Sequence, residues 1–350
     1  MKERKTGIVF HEDYLVHTND YHPECKERLE AIMDKLEHKG VLNDLSVIVP
    51  EQEAPVEKIA LIHGEPYIQS VKQACEDGRH QLDMDTYLTP RTYEIARRAV
   101  QGGLDAVEAV MGNKMENVFA LLRPPGHHAE SNQGMGFCIF NNIAIATRVL
   151  QKEYGLKRIM IVDWDVHHGN GTQHVFEEEA EVLFFSVHQS PAYPGTGALA
   201  EVGRKEGAGY TLNAPMPPGS GDGDYLMLFN EIVLPVMDAY KPEILLISAG
   251  QDAYRGDPLA SMNLSKQWYA KMADLLRKGA AAHTGGKMIL FLEGGYNVKA
   301  QADIVFNVLN TIGGWGLPLE EDSRVTDMPA AENVISSIKN QHKQYWDVLK

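Results

Sequence analysis

Short apolar runs at 7–10, 118–122, 158–162, 182–187, 244–248 and 288–292 punctuate the chain, with amphipathic stretches at 93–111, 143–153, 225–240 and 266–281 between them. Continuous apolar runs of this length suit strands covered on both faces. The longer stretches suit helices that bury one stripe. Their alternation predicts an α/β protein with a mainly parallel sheet. No internal repeat, low-complexity tract or Pro/Gly/Ser-rich linker interrupts the pattern. One continuous domain over 1–350 is therefore expected.

The residues just beyond each run carry more information than the runs themselves. Run 118–122 leads into Arg123-Pro-Pro-Gly-His127-His128, and run 158–162 into Asp163-Trp-Asp165-Val-His167-His168-Gly-Asn170. His188 comes after 182–187, Ala249-Gly-Gln-Asp252 after 244–248, and Glu293-Gly-Gly-Tyr296 after 288–292. Sites in open α/β sheets lie beyond the carboxyl ends of the strands. These five segments are thus expected to converge.

Asp163, Asp165 and His167 alternate, so an extended chain would present them on one face. A carboxylate and an imidazole two residues apart can grip one ion, and Asp252 at another strand end is the natural third ligand. Such a His/Asp/Asp set leaves positions open for a water, as catalytic metal sites require. A lone Asp-x-His is more often a solvated pair; here its company raises its weight. The donors alone suit zinc, iron(II), manganese or cobalt(II). His127 and His128 follow a rigid Pro-Pro-Gly turn and could divide proton work if each has its own partner, for which Asp163 and Asn170 are available. Tyr296 beside two glycines could swing over a substrate and donate to an oxyanion.

Composition narrows the setting. The chain has 350 residues, 44% hydrophobic and 23% charged, and no apolar run as long as a membrane span. The opening Met1-Lys-Glu-Arg-Lys-Thr-Gly-Ile-Val-Phe10 has too short an apolar part for a signal peptide and reads as a polar leader into a first strand. The cysteines, Cys25, Cys75 and Cys138, are odd in number and far apart, which argues against a disulfide framework and fits the cytoplasm. The net charge of −15 disfavours nucleic acid as a partner and is compatible with cationic substrates.

Arg123-Pro-Pro-Gly-His-His-Ala-Glu130, Gly136-Phe-Cys-Ile-Phe-Asn-Asn142, Asp163-Trp-Asp-Val-His-His-Gly-Asn-Gly-Thr-Gln173, Tyr193-Pro-Gly-Thr-Gly197, Ser248-Ala-Gly-Gln-Asp252 and Glu293-Gly-Gly-Tyr-Asn297 together resemble the histone deacetylase family. The likeness is strongest to its class II-like branch, with bacterial deacetylase-like amidohydrolases and acetylpolyamine amidohydrolases. His22-Pro-Glu-Cys-Lys-Glu-Arg28 is similar to the family's early motif. The resemblance implies the arginase/deacetylase fold, a mainly parallel sheet sandwiched between helix layers, as a single domain. Its catalytic motifs would lie within 11–300, and 301–350 would be a C-terminal helical part.

The resemblance also implies roles. Zinc would be held by Asp165, His167 and Asp252. His128 would be general base and acid, His127 its electrostatic partner, and Tyr296 the donor to the scissile carbonyl. Asp163 and Asn170 would hydrogen-bond the histidines. Gly136, Phe137, Tyr193 and Leu259 would line a narrow acyl-lysine channel. A structural potassium ion would sit near Asp163, Asp165, His167, Ser186 and Val187. The implied reaction is zinc-dependent removal of acetyl groups from lysine in peptides or proteins. The alternative substrate is a small acetylated polyamine. A catalytically silent binding module and a manganese ureohydrolase of the same fold fit less well, the first because the catalytic residues are intact. No membrane partner is expected, and homo-oligomerisation is left open. The sequence departs from the family pattern at Gln251, where an apolar residue is usual, and at Tyr254, where many relatives have His. Leu259 stands where polyamine-selective relatives carry an acid. Asp85 is a candidate rim residue.

Overall fold

The structure, a computed structural model, describes residues 5–322 and 331–350. Positions 1–4 of the polar leader and 323–330 of the C-terminal part lie outside the described residues. The apolar runs become strands β1 (Thr6–Val9), β3 (Asn117–Ala120), β4 (Ile159–Asp163), β5 (Val182–Gln189), β7 (Ile244–Ala249) and β8 (Met288–Leu292), joined by β2 (Ser46–Ile48) and β6 (Thr211–Met216). They form one eight-stranded sheet in the order β2-β1-β3-β8-β7-β4-β5-β6, every neighbouring pair parallel. The two strands that the apolar pattern does not reveal are its edges. β2 is short and mostly exposed, and β6 carries Asn213 and Pro215, residues an edge tolerates.

Parallel strands need crossovers, and helices supply them. In chain order these are α1 (Glu27–His38), α2 (Val56–Ile59), α3 (Glu65–Glu76), α4 (Thr92–Met111), α5 (Asn142–Tyr154), α6 (Asn170–Phe176), α7 (Asp222–Leu228), α8 (Leu234–Tyr240), α9 (Lys266–His283), α10 (Val298–Gly313) and α11 (Ala331–His342). The amphipathic stretch at 225–240 is not one α-helix. A π-turn at Phe229–Val233 separates α7 from α8. Pro235 explains the break: its ring lacks the N–H for the carbonyl one turn back and crowds it. Helices α4 and α5 pack on each other, and α10 packs on both α1 and α9. Strands β3, β4, β7 and β8 are buried throughout, as their apolar sequences require. Among the described residues no helix is long and apolar enough to cross a membrane.

Candidate active site

The strands β3, β8, β7, β4 and β5 are consecutive in the sheet, so the five segments at their carboxyl ends meet at one end of it. Strand β4 stops at Asp163, and the chain continues as a loop through His167. Backbone amides fix each carboxylate there. Asp163 Oδ1 accepts from the N–H of Asp165 at 3.1 Å, Asp165 Oδ1 from His167 N–H at 2.9 Å, and Asp252 Oδ1 from Val166 N–H at 2.9 Å. The Gly294 N–H donates to Asp165 Oδ2 at 2.7 Å. Any β-carbon on Gly294 would collide with the carboxylates of Asp252 and Asp165, so only glycine lets the turn come this close.

Asp165, His167 and Asp252 turn donor atoms toward one point, all within 4.8 Å of one another. His167 Nδ1 lies 3.2 Å from Asp165 Oδ1 and 3.3 Å from Asp252 Oδ2. Asp252 Oδ2 is buried without a hydrogen-bond partner. Two buried carboxylates, one imidazole and an unpartnered anionic oxygen suit a small divalent cation, because an unpaired buried charge is otherwise costly. Asp163 does not join this group. Its Oδ2 faces His127 Nδ1 at 3.0 Å. The alternation seen in the sequence thus splits between two jobs.

His127 and His128 stack with ring centres 4.0 Å apart, yet their environments drive them in opposite directions. Burial would discharge His127, but the carboxylates of Asp163, Asp165 and Glu293 outweigh it and push its pKa up to about 10. Burial, together with the positive charges of His127 and His167, drives His128 well below its ordinary 6.5. One ring is cationic and its neighbour is a neutral base. His128 Nδ1 donates to Asn170 Oδ1 at 2.8 Å, which leaves Nε2 as the basic nitrogen. Glu293 steadies the pair from behind, its Oε2 accepting the N–H groups of Gly126 at 2.7 Å and His127 at 3.1 Å.

Above the metal-ligand group opens a cavity of about 240 Å³ lined by Asp85, His128, Gly136, Phe137, His167, Tyr193, Leu259 and Tyr296. The four expected channel residues are therefore brought together with Asp85 and with two of the three candidate catalytic side chains, His128 and Tyr296, while His127 lies behind His128 and does not line the cavity. Phe137 and Tyr296 meet edge to face at 5.6 Å, and Tyr193 meets His128 at 5.1 Å. Phe137 sits at φ 69°, a position bulky residues avoid. His22 packs on it at 4.5 Å and donates from Nε2 to the Asp85 carbonyl at 3.0 Å. Across the next strand boundary, Asp163 pairs in register with Ser186, and Val187 comes next.

Several supporting residues lie away from the strand ends, two of them in the early motif His22–Arg28, whose role the sequence leaves unassigned. Arg28 is fully buried and donates to the carbonyls of Gly295 at 2.8 Å and Glu293 at 2.5 Å, gripping the turn on both sides of Gly294. Glu24 accepts from Arg28 and Arg123, whose guanidiniums hold its pKa down to about 2 against the effect of burial. The early motif around Pro23 is thus the strut of the Gly-Gly-Tyr turn. The departures also find partners. Gln251 is buried, donates to the Ala249 carbonyl and accepts from Gln301 on α10 at 3.1 Å. Tyr254 is half-buried, with its hydroxyl 3.4 Å from Asp322.

The family model described as "Histone deacetylase domain" matches residues 22–312. The chain is 38% identical to a "Probable deacetylase" of Archaeoglobus fulgidus over 99% of both chains. It is 35% identical to "Polyamine deacetylase HDAC10" of Homo sapiens over 99% of this chain and 53% of that one. Its fold superposes on the crystal structure of the HDA15 HD domain with a TM-score of 0.91 at 35% identity, covering 99% of this chain and 97% of the other.

Proposed function

Because the chain belongs to the histone deacetylase family, we propose that it hydrolyses acetyl amides of lysine ε-amines, with zinc held by Asp165, His167 and Asp252. One arrangement carries this reading: three metal donors at the floor of an aromatic cavity whose walls present His128 and Tyr296. The bound ion would supply Lewis-acid polarisation of the carbonyl and acidify a water. His128 Nε2 takes a proton from the attacking water and later returns it to the departing amine. Tyr296 donates its phenol proton in a hydrogen bond to the developing oxyanion; burial keeps that phenol well above its ordinary pKa and so protonated. His127 holds positive charge beside the reaction, and Asp163 orients it. Phe137 and Tyr193 enclose the acyl-bearing chain and exclude water.

A specific observation favours a second reading. Asp85 brings a carboxylate to the cavity rim, where it would meet the ammonium groups of an acetylated polyamine. Against it, Leu259 presents no charge at the mouth, and Asp85 would equally accept peptide N–H groups. The deciding measurement is kcat/KM of the metal-replete enzyme on acetyl-lysine peptides, acetylputrescine and acetylspermidine. Preference for the peptides is expected. Preference for the polyamines would select the second reading, and no turnover of any would overturn both.

The same reading includes a potassium ion beside Asp163, Asp165, His167, Ser186 and Val187. The register that sets Asp163 against Ser186 supports it. It also takes 1–350 as one deacetylase domain working in the cytoplasm.

A further inference from the structure

Asn170 poses a problem that a carboxylate in its place would not. Both oxygens of a carboxylate accept. A carboxamide accepts on one side and donates on the other, so its orientation decides where its imidazole partner carries the proton. With Oδ1 toward His128, the ring must hold Nδ1–H, and Nε2 is free to act as base. With the NH2 turned toward His128, Nδ1 must accept, Nε2 carries the proton, and the base is lost.

Glu130 selects between the two. Asn170 Nδ2 donates to Glu130 Oε1 at 2.5 Å, with the His128 carbonyl at 3.3 Å and Met135 Sδ at 3.6 Å as further acceptors. A flipped amide would face its oxygen to the Glu130 carboxylate and lose a charge-assisted hydrogen bond. Glu130 is itself braced. Its N–H donates to the Gln133 carbonyl at 2.9 Å, and His174 Nδ1 donates to the same Oε1 at 2.8 Å. Asn170 and His174 stand four apart on α6, so one helical face presents both donors to one carboxylate. Burial would raise the Glu130 pKa, but the hydrogen bonds from His174 and Asn170 outweigh it and keep the group anionic.

We propose that Glu130 is a positioning residue that fixes the Asn170 amide and, through it, the tautomer of His128. The proposal rests on the reading of His128 as the base. It extends the catalytic apparatus from the cavity to His174, whose ring is partly exposed at the surface.

The test uses the zinc-loaded full chain. Two-bond nitrogen–proton correlation of the wild type should show His128 neutral and protonated at Nδ1; protonation at Nε2 would overturn the proposal without any variant. In Glu130→Gln the new amide can give or take a hydrogen bond, so both Asn170 orientations are satisfied. Its His128 should show both tautomers, and kcat should fall in proportion to the Nδ1–H share, about 2-fold if the two are equally populated. KM and zinc content should hold. Asn170→Asp alone would face one carboxylate with another and lose activity. The double variant Glu130→Gln/Asn170→Asp restores an unambiguous acceptor for His128 and should recover kcat above either single variant. Wild-type kcat in Glu130→Gln, or a double variant no better than the singles, would sink the proposal. His128→Ala separates the two levels: if it remains active, the reading of His128 fails, whereas an inactive His128→Ala beside an unaffected Glu130→Gln removes Glu130 alone.

Discussion

Asp252, like Glu293, has one oxygen satisfied by backbone amide and the other without a hydrogen-bond partner in a buried place, but it is the Asp252 oxygen that meets the donors of Asp165 and His167. That placement is what a ligand oxygen needs. Asp252→Ala should therefore lose zinc and activity together, by at least the ~10- to 100-fold that even indirect supports of a metal site are worth; metal analysis of the purified variant checks it. Stoichiometric zinc with wild-type turnover would dismiss the site. Tyr296→Phe should do the reverse, keeping zinc and KM while kcat falls about 10²–10³-fold, the scale of one oxyanion donor. Near-normal kcat would leave Tyr296 a mere wall of the cavity. Most of this site is legible in the sequence because its reacting groups sit at run ends, where the topology must gather them. Glu24, Arg28 and Glu130 are not legible in the same way. Their meaning lies in contacts such as Arg28 to Gly295, 267 residues apart, which no local pattern encodes.

At the scale of elements, the strands read from the sequence are those buried on both faces, since only these must be apolar throughout. β2 and β6 escape notice because an edge strand has an exposed or interrupted sequence. The stretch at 225–240 shows the converse: its periodicity is helical, yet Pro235 imposes a π-turn that periodicity cannot register. Helix α4 meets the sheet through Gly102, where a β-carbon would lie 2.7 Å from the Tyr14 hydroxyl, 2.8 Å from Val9 Cγ1 and 2.9 Å from Leu122 Cδ2. Alanine is the better helix former by about 1 kcal/mol. The clash should nevertheless win, because overpacking typically costs about 1–3 kcal/mol and two of the three neighbours are anchored in or beside the buried β1 and β3. Gly102→Ala should thus lower the urea midpoint with an unchanged m-value. A raised midpoint would show that α4 can lift off the sheet at little cost.

For the whole molecule, the same burial that builds the cavity traps histidines in the neutral form far from the metal donors. His17 stacks on Tyr87 at 4.4 Å and bonds Thr92 at 2.9 Å, and burial drives its pKa down to about 3. His63 accepts the Asn141 N–H at Nε2, 2.9 Å away, and donates from Nδ1 to the Glu130 carbonyl; burial brings it to about 4. His342, with Nδ1 unpartnered, is also brought to about 4 by burial. In the unfolded chain each would titrate near 6.5, so below that pH the unfolded state binds more protons. Their stabilising contribution is complete above about pH 6.5 and is lost as pH falls toward 4. The slope is about 1.4 kcal/mol per pH unit for each ring, or about 4 for the three. Glu24, depressed to about 2, adds a further loss below its ordinary 4.5. Histidines shifted upward, such as His174, contribute fully below 6.5 and do not offset the slope. Buried carboxylates act in the opposite sense: burial raises the pKa of Asp163 and lifts those of Asp257 and Glu293 to about 7, so the folded chain holds extra protons there and offsets part of this slope. Urea unfolding at pH 7, 6 and 5, compared between wild type and a variant lacking one ring, isolates the histidine contribution. His342→Leu removes one titrating ring, and its stability should fall less steeply by about 1.4 kcal/mol per pH unit. An unchanged slope in His342→Leu would mean that this ring reaches water in the native state and would remove it from the set.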